Sequence, residues 1–461
     1  MLKKLSKYMK GLWGLAAISA AGMIVEAFCE LALPSLANSI YQKVDTAASP
    51  ESVRTAVILS GLGMLALALL GLFGGVVTMK TSANVSQRFA YRLRGDMYRK
   101  ISHFSFKNID QFSTASLTTR MTNDVTTLQN VVMMCLRILV RVPALAVVAA
   151  CFAVSINPRM SAMLLILLPI LIVVVACILK FGFPMFQKMQ KKIDNVNRVV
   201  QENLIGMRVV KAYVREDYEK KKFAAAAEDV CRDFTQAEKI LAFNNPLMQF
   251  SLYVVMIFVL SFGSYTIIPT RGLALDVGQF SALLTYSFQI LMSLMTLSMV
   301  FVMIAMSMES AERIVEVLSE QSNLTSPENA ITEVKDGSID FDNVNFKYSK
   351  KAERNALSNV DLHIKSGEVI GILGGTGSSK STLVQLIPRL YDVTEGCVKV
   401  GGIDVRKYDL EVLRNNVAVV LQKNVLFSGT IKDNLRWGNP DATDEDMLEA
   451  CKLGQADEFI Q

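Results

Sequence analysis

The 461 residues exceed the roughly 250–300 at which one hydrophobic core stops growing, so two or three domains are expected. Hydrophobic residues make up 51% and charged residues 20%, and the seven Cys are widely spaced, which excludes a disordered, collagen-like or disulfide-framework chain. The net charge of +6 is split: residues from Glu309 onward hold 25 acidic against 17 basic side chains, and those before it 31 basic against 17 acidic. A basic, apolar part followed by an acidic, polar part suggests a membrane domain joined to a soluble one. The basic residues fall between long uncharged stretches and not in one aromatic-studded patch, so nucleic acid is not an expected partner. His103 and His363 are the only histidines, too few for a His-based metal site or triad.

Six stretches have the ~20 mostly apolar residues needed to cross a ~30 Å hydrocarbon layer. The first runs from Gly11 to about Ile40 without Lys or Arg, and Glu26 and Glu30 interrupt it. That interruption, and the lack of a small-residue cleavage site, argue against a signal peptide. The second is Thr55–Met79, 25 residues without a charge. The third follows Arg141 and ends near Pro158, the fourth is Met160–Leu179, the fifth Ile240–Ile268, and the sixth Val277–Met308, 32 uncharged residues. Met1–Lys10, Lys80–Asn130 and Lys180–Lys239 carry four, eight and thirteen Lys or Arg; the opposite-side segments carry only Lys43, Arg54, Arg159 and Arg271. The positive-inside bias therefore places both termini and both long loops in the cytoplasm of a plasma-membrane, multi-pass protein.

Arg88–Arg99 and Lys188–Lys222 are polar and poor in Gly and Pro, so each long loop reads as a solvated helical hairpin. About 25–30 helical residues reach roughly 40 Å, enough to carry the span helices deep into the cytoplasm and back. Glu26 and Glu30, four apart, share a helix face inside the first span. They read either as a cation-attracting surface on a substrate path or as carboxylates near the outer end, wetted or paired. Met292, Met295, Met299, Met303 and Met306 run along the sixth span, as packing or lipid-facing residues or as an adaptable lining. Arg137 and Arg141, at the inner end of the third span, can snorkel to headgroups or line an inner cavity.

Gln321–Lys335 is polar and aperiodic, and reads as a linker. Short apolar runs follow and predict strands over Ile339–Phe346, Leu357–Ile364 and Val369–Leu373, with a further one over Val417–Leu421. Val369–Leu373 leads into Gly374, Gly375, Thr376, Gly377, Ser378, Ser379, Lys380, Ser381 and Thr382, and then an apolar helix. This is the strand–loop–helix setting of a phosphate loop. Small residues let backbone N–H groups curl around phosphate oxygens, and the helix N-terminus adds positive potential. Lys380 is placed to contact the β- and γ-phosphates of ATP and Ser381 to ligate Mg²⁺. Ser379 stands where the strict pattern has Gly. It fits at little cost in a helical conformation and is strained if φ is positive, and the sequence leaves both open.

Several motifs together resemble the six-helix, type-1 exporters of the ATP-binding cassette (ABC) family. Gln201–Tyr213 is similar to their second intracellular loop, and Ser113–Asp124, with Leu117, Arg120 and Asn123, to the first. Ser310–Ile314 resembles the exit from the sixth span. The resemblance implies residues 1–320 as the membrane domain, 321–336 as linker, and 337–461 as the first half of a P-loop α/β ATP-binding domain. It implies Tyr348 as the residue that stacks on adenine and Gln422 as the glutamine that approaches Mg²⁺ and senses the membrane domain; Phe427–Ile431 and Asn434–Leu435 continue that loop. No Ser-Gly-Gly-Gln signature and no strand ending in Asp-Glu occurs, so catalytic residues are expected outside the chain and the sequence is expected to be a fragment.

What the resemblance implies for function is an ATPase-driven exporter of a small molecule or lipid, paired with a second half-transporter in a homo- or heterodimer. Two alternatives stand beside it: a regulatory half with a non-hydrolysing ATP site, and an ATP-gated channel.

Overall fold

A computed structural model of the chain describes residues 2–46, 50–158, 160–162, 169, 173, 192–193, 195–270, 275–349, 352–421 and 425–460. Two compact units emerge: Met1–His103 with Phe112–Glu320, and Phe104–Gln111 with Gln321–Gln461.

The first unit is helical. Short α1 (Leu2–Ser6) and a 3₁₀ turn precede α2 (Trp13–Thr46), α3 (Pro50–Ser102), α5 (Thr114–Thr119), a π-helical turn over Arg120–Asp124 and α6 (Val125–Ile156). A helix over 195–212, α7, then leads to α8 (Glu216–Ala242), α9 (Asn244–Thr270) and α10 (Val277–Ser319). Among the described residues five helices are long and apolar enough to cross a membrane: Trp13–Lys43, Val53–Ser102, Thr114–Ile156, Gln249–Pro269 and Val277–Ser319. The fourth expected span, 160–179, lies almost wholly outside the described residues.

The helical hairpin expected around Arg88–Arg99 is the lower half of α3, which runs unbroken for 53 residues. At 1.5 Å per residue that is about 80 Å, far more than a bilayer. Its upper half leaves Leu62, Leu65, Leu69, Leu72 and Phe73 more than half exposed. Such a row is stable only against lipid or another apolar surface.

Helices α2 and α3 cross at their glycines. A Cβ on Gly74 would lie 2.8 Å from the carbonyl oxygen of Gly22, and one on Gly22 would lie 2.7 Å from Thr78 Oγ1. The approach lets Thr78 Oγ1 donate to the Ser19 carbonyl at 3.1 Å. Small residues allow such contact where no hydrophobic drive exists between helices in lipid. A core of Ala27 and Leu31 from α2, Leu145 and Ala149 from α6, and Leu283 and Tyr286 from α10 closes the bundle. The buried Tyr286 hydroxyl donates to the Leu31 carbonyl at 2.9 Å.

The second unit is built on a four-stranded antiparallel sheet, order β2-β1-β3-β4, of β1 (Ile339–Phe346), β2 (Leu357–Ile364), β3 (Glu395–Val400) and β4 (Ile403–Asp404). Phe341, Val344, Phe346, Val398 and Val400 face a core closed by Leu383 and Leu386 of α11 (Lys380–Leu386) and by Tyr408 and Leu413. The polar segment after Gln321 lies against this body: Ile331 pairs with Tyr408, and the buried Arg389 donates to the Thr325 carbonyl.

Two expected strands are absent. Val369–Leu373 and Val417–Leu421 are irregular. Val369, Leu373 and Val420 are 98%, 97% and 91% exposed. Continuous apolar runs belong to strands covered on both faces. Among the described residues nothing pairs with either segment, so the hydrophobic pattern is present without the sheet that would make it a strand.

Candidate functional site

The loop Gly374–Ser379 joins the irregular segment to α11, whose Leu383 and Leu386 bury against the sheet and fix the helix start. Two glycines serve the loop directly. Gly377 has φ +85°, which residues with a Cβ rarely adopt, and a Cβ on Gly374 would meet Ser378 Oγ at 2.5 Å. Lys380 Nζ curls into the loop and donates to the carbonyls of Gly374 (2.7 Å) and Gly375 (2.9 Å) and to Ser378 Oγ (3.2 Å). A cation held by loop carbonyls marks the place where an anionic phosphate would exchange for them.

Ser379 settles the question its sequence leaves open. Its backbone is left-handed, φ 63° and ψ 23°, and its side chain makes no capping hydrogen bond to α11. Serine therefore carries the steric cost of a conformation suited to glycine, with no cap to offset it.

Ser381 is exposed at the first turn of α11, and Thr382 is buried behind it. Thr382 Oγ1 hydrogen-bonds the Tyr348 hydroxyl at 2.8 Å. Tyr348 thus hangs from the phosphate-loop helix with its ring 44% exposed, edge-on to Phe346 and Tyr391. The structure brings the expected adenine-stacking residue and the phosphate loop together. Gln422 lies outside the described residues. The loop after it is held by Asn434, whose side chain accepts from the Phe427 N–H at 2.7 Å and donates to its carbonyl at 2.9 Å, and by Phe427 stacked on Trp437.

One feature of the site has no local sequence signal. Residues 104–111, between the second and third spans, fold with the sheet unit. In the short helix α4 (Phe106–Phe112), Asp110 accepts a 2.8 Å hydrogen bond from the Tyr391 hydroxyl, and Phe106 packs on the Tyr391 ring. Burial, reinforced by the Asp110 carboxylate, pushes the Tyr391 phenol well above its ordinary value, so it stays a donor. Tyr391 touches Tyr348, and Tyr348 touches Thr382, so one chain of contacts joins the segment between the second and third spans to the phosphate loop.

Within the first unit, Glu26 and Glu30 lie beside Arg141. Arg141 Nη2 donates to Glu30 Oε2 at 2.8 Å, Gln289 Nε2 donates to Glu30 Oε1 at 2.8 Å, and Arg141 Nη1 stands 3.8 Å from Glu26 Oε1. Glu30 is thus paired with Arg141, whereas Glu26 has only the longer approach.

A helical unit with membrane-crossing helices, followed in the same chain by a phosphate loop on a small sheet, defines an ATP-binding transport protein by architecture. Family comparison agrees. Residues 17–294 match the family model of the ABC transporter transmembrane region, and residues 357–461 match that of the ABC transporter. The chain is 34% identical over 459 residues to an uncharacterized ABC transporter ATP-binding protein, YfiB, of Bacillus subtilis (strain 168), covering all of this chain and 78% of that protein. It is also 34% identical over 469 residues to an uncharacterized ABC transporter ATP-binding protein of Mycobacterium tuberculosis, covering all of this chain and 79% of that one. The chain belongs to the ABC transporters, with the half-transporter plan of one membrane region fused to one ATP-binding region, and is a multi-pass membrane protein.

Proposed function

We propose that the chain is the permease and ATP-binding half of an exporter that uses Mg²⁺-ATP to move a small molecule or lipid out of the cytoplasm, working as a dimer with a second half-transporter. The observation that carries this reading is the Asp110–Tyr391–Tyr348–Thr382 chain. A loop between two spans is gripped by the same aromatic cluster that touches the phosphate-loop helix. Nucleotide binding there changes the surroundings of a segment directly continuous with the span helices.

Each residue has a role in this reading. The N–H groups of Gly375–Thr382 cradle the phosphates. Lys380 leaves the Gly374 and Gly375 carbonyls and moves to the β- and γ-phosphates. Ser381 ligates Mg²⁺, which when bound neutralises phosphate charge, and Tyr348 offers its exposed ring to adenine. Gln422 completes the Mg²⁺ environment. Both termini, both long loops and the ATP-binding unit lie in the cytoplasm, as the distribution of Lys and Arg requires.

The test is uptake of a lipophilic dye into inside-out vesicles holding the transporter. Uptake that requires ATP and runs against the gradient, and that disappears together with fluorescent-ATP binding in Lys380→Ala, supports the exporter. Flux that only follows the gradient and is merely switched on by ATP supports a gated channel instead.

A second reading is favoured by Ser379. A strained phosphate loop suits a site that binds ATP as a regulatory element beside a catalytic partner in a heterodimer. Copurification of a second, different half-transporter, with ATP trapped intact on this chain, would select it.

A further inference from the structure

The Glu26–Glu30–Arg141–Gln289 group joins three membrane helices and is unevenly satisfied. Glu30 uses both oxygens, one for Arg141 and one for Gln289. Glu26 has only the 3.8 Å approach of Arg141 Nη1, beyond hydrogen-bond range, and makes no other ion pair or hydrogen bond among the described residues. Arg141 is already committed to Glu30 at 2.8 Å. Arg137, one turn toward the cytoplasmic end of α6, forms no ion pair with either carboxylate among the described residues. By sequence, spans two, four, five and six hold no charged residue that could take its place. Glu26 is thus a carboxylate with an incomplete counter-charge.

Its depth makes that costly. Glu26 lies 13 residues above Trp13, the start of α2, or about 20 Å along the axis. Arg141 lies 15 residues from Ile156, the end of α6, or about 22 Å. Both carboxylates fall inside the first apolar stretch, Gly11 to about Ile40, which holds no Lys or Arg, and within a span a charge facing lipid is disfavoured and a charge facing a cavity or ligand is the rule. The Glu26 side chain is 26% exposed and so reaches such a surface. The wall beside it is stripped to Gly75, whose Cβ would lie 3.2 Å from Glu26 Oε2.

By helix register, sulfur side chains stand at the level of Glu26 and below it. Helix α10 descends toward the cytoplasm while α2 ascends, so one turn below Gln289 on α10 is level with Glu26, one turn below Glu30 on α2. That turn carries Met292, and Met299 and Met306 follow on the same helical face at steps of seven residues. They are 40%, 65% and 63% exposed. Thioethers are soft and flexible and accept apolar bodies of varied shape.

We propose that Glu26 and the Met292–Met299 face form the binding site for a monovalent organic cation with bulky apolar groups, Glu26 taking the charge and the methionines the apolar body. This deepens the exporter reading by naming the substrate class and rests on it for direction of transport, but binding itself needs no nucleotide. Glu30 and Arg141 are the scaffold that fixes α2 against α6 and α10.

The experiment is equilibrium binding of radiolabelled tetraphenylphosphonium to the full chain in nanodiscs, without nucleotide, beside a neutral triphenyl analogue of the same size. The cation is expected to bind and the neutral compound to bind at least about tenfold more weakly, the scale of one lost charge-assisted contact. Glu26→Gln should weaken the cation about tenfold or more and leave the neutral compound unchanged. Glu26→Asp should restore most of the affinity. Gly75→Ala should weaken the cation without altering any charge, because its methyl group displaces the carboxylate. Size-exclusion profiles and the thermal stability of each variant separate a folding defect from a binding one. No binding by the wild type, equal binding of charged and neutral compounds, or wild-type affinity in both Glu26→Gln and Gly75→Ala would overturn the proposal and leave the group as a structural clasp. Binding with no ATP-driven uptake would leave the site standing and sink only the exporter reading.

Discussion

Ser379 is the residue whose backbone most directly invites a change. A non-glycine residue in the left-handed region costs about 1–2 kcal/mol, and here no side-chain hydrogen bond returns any of it. Ser379→Gly should raise the thermal midpoint of the ATP-binding unit and hold or tighten fluorescent-ATP affinity, while Ser379→Ala should change neither, since alanine keeps the Cβ. A lower midpoint in Ser379→Gly would mean that the loop draws something from serine that the geometry does not show. A second residue carries a pH signature. His363 Nδ1 pairs with Asp340 Oδ1 at 2.8 Å, and this hydrogen bond raises the imidazole above its ordinary value. A raised histidine stabilises the fold fully below its unfolded value near 6.5, and that contribution is lost as pH rises through the higher folded value. Thermal midpoints should therefore fall slightly more between pH 6 and 8 in the wild type than in His363→Asn. The pair is exposed, so the difference is small.

At the scale of elements, two contacts decide how helices are held. The α2–α3 crossing leaves 2.8 Å between a Gly74 Cβ and the Gly22 carbonyl, a backbone atom that cannot swing aside. Gly74→Ala should cost about 1–3 kcal/mol through overpacking and be read as a lower melting temperature in detergent, with Gly61→Ala, where a Cβ meets nothing within 4 Å, as the unaffected control. The α4 contact is of another kind. Asp110→Ala removes the carboxylate that accepts from Tyr391 while leaving the phosphate loop untouched. ATP binding should persist and ATP-driven uptake should fall; loss of both together would show that Asp110 supports the fold and not the coupling. These elements also show what the sequence discloses. β1 and β2 are readable to the residue because alternating or flanked apolar runs pair with each other inside the chain. Val369–Leu373 looks alike in sequence and is not a strand, because strand formation depends on a neighbour that a local pattern does not contain. Lys380 and Tyr348 are legible because small-residue loops and aromatic strand ends are local signals. Asp110 with Tyr391, 281 positions apart, and Arg141 with Glu30, 111 apart, are not, since only the fold makes them neighbours. Ser379 stands between the two cases: its identity is local, but its φ is set by how α11 docks on the sheet.

For the whole molecule, the charge division has one physical consequence that can be measured on the intact chain. The proposed topology puts the basic loops and the ATP-binding unit on the side of the membrane where nucleotide is found. Cys231, on α8, is free and exposed, whereas Cys451 is buried. A variant retaining only Cys231 should react with a membrane-impermeant maleimide in inside-out vesicles and be protected in intact cells. Arg54, at the start of α3, belongs to a segment nearly bare of Lys and Arg and is expected on the opposite side of the membrane. Arg54→Cys in a background without other cysteines should show the reverse pattern, with labelling in cells and protection in inside-out vesicles. The two sites test orientation from opposite faces, so leaky vesicles, which would label both, cannot imitate the result. Labelling of Cys231 from outside intact cells would put the phosphate loop where ATP is scarce and would end the case for ATP-driven export, whatever the nucleotide affinity of the loop itself.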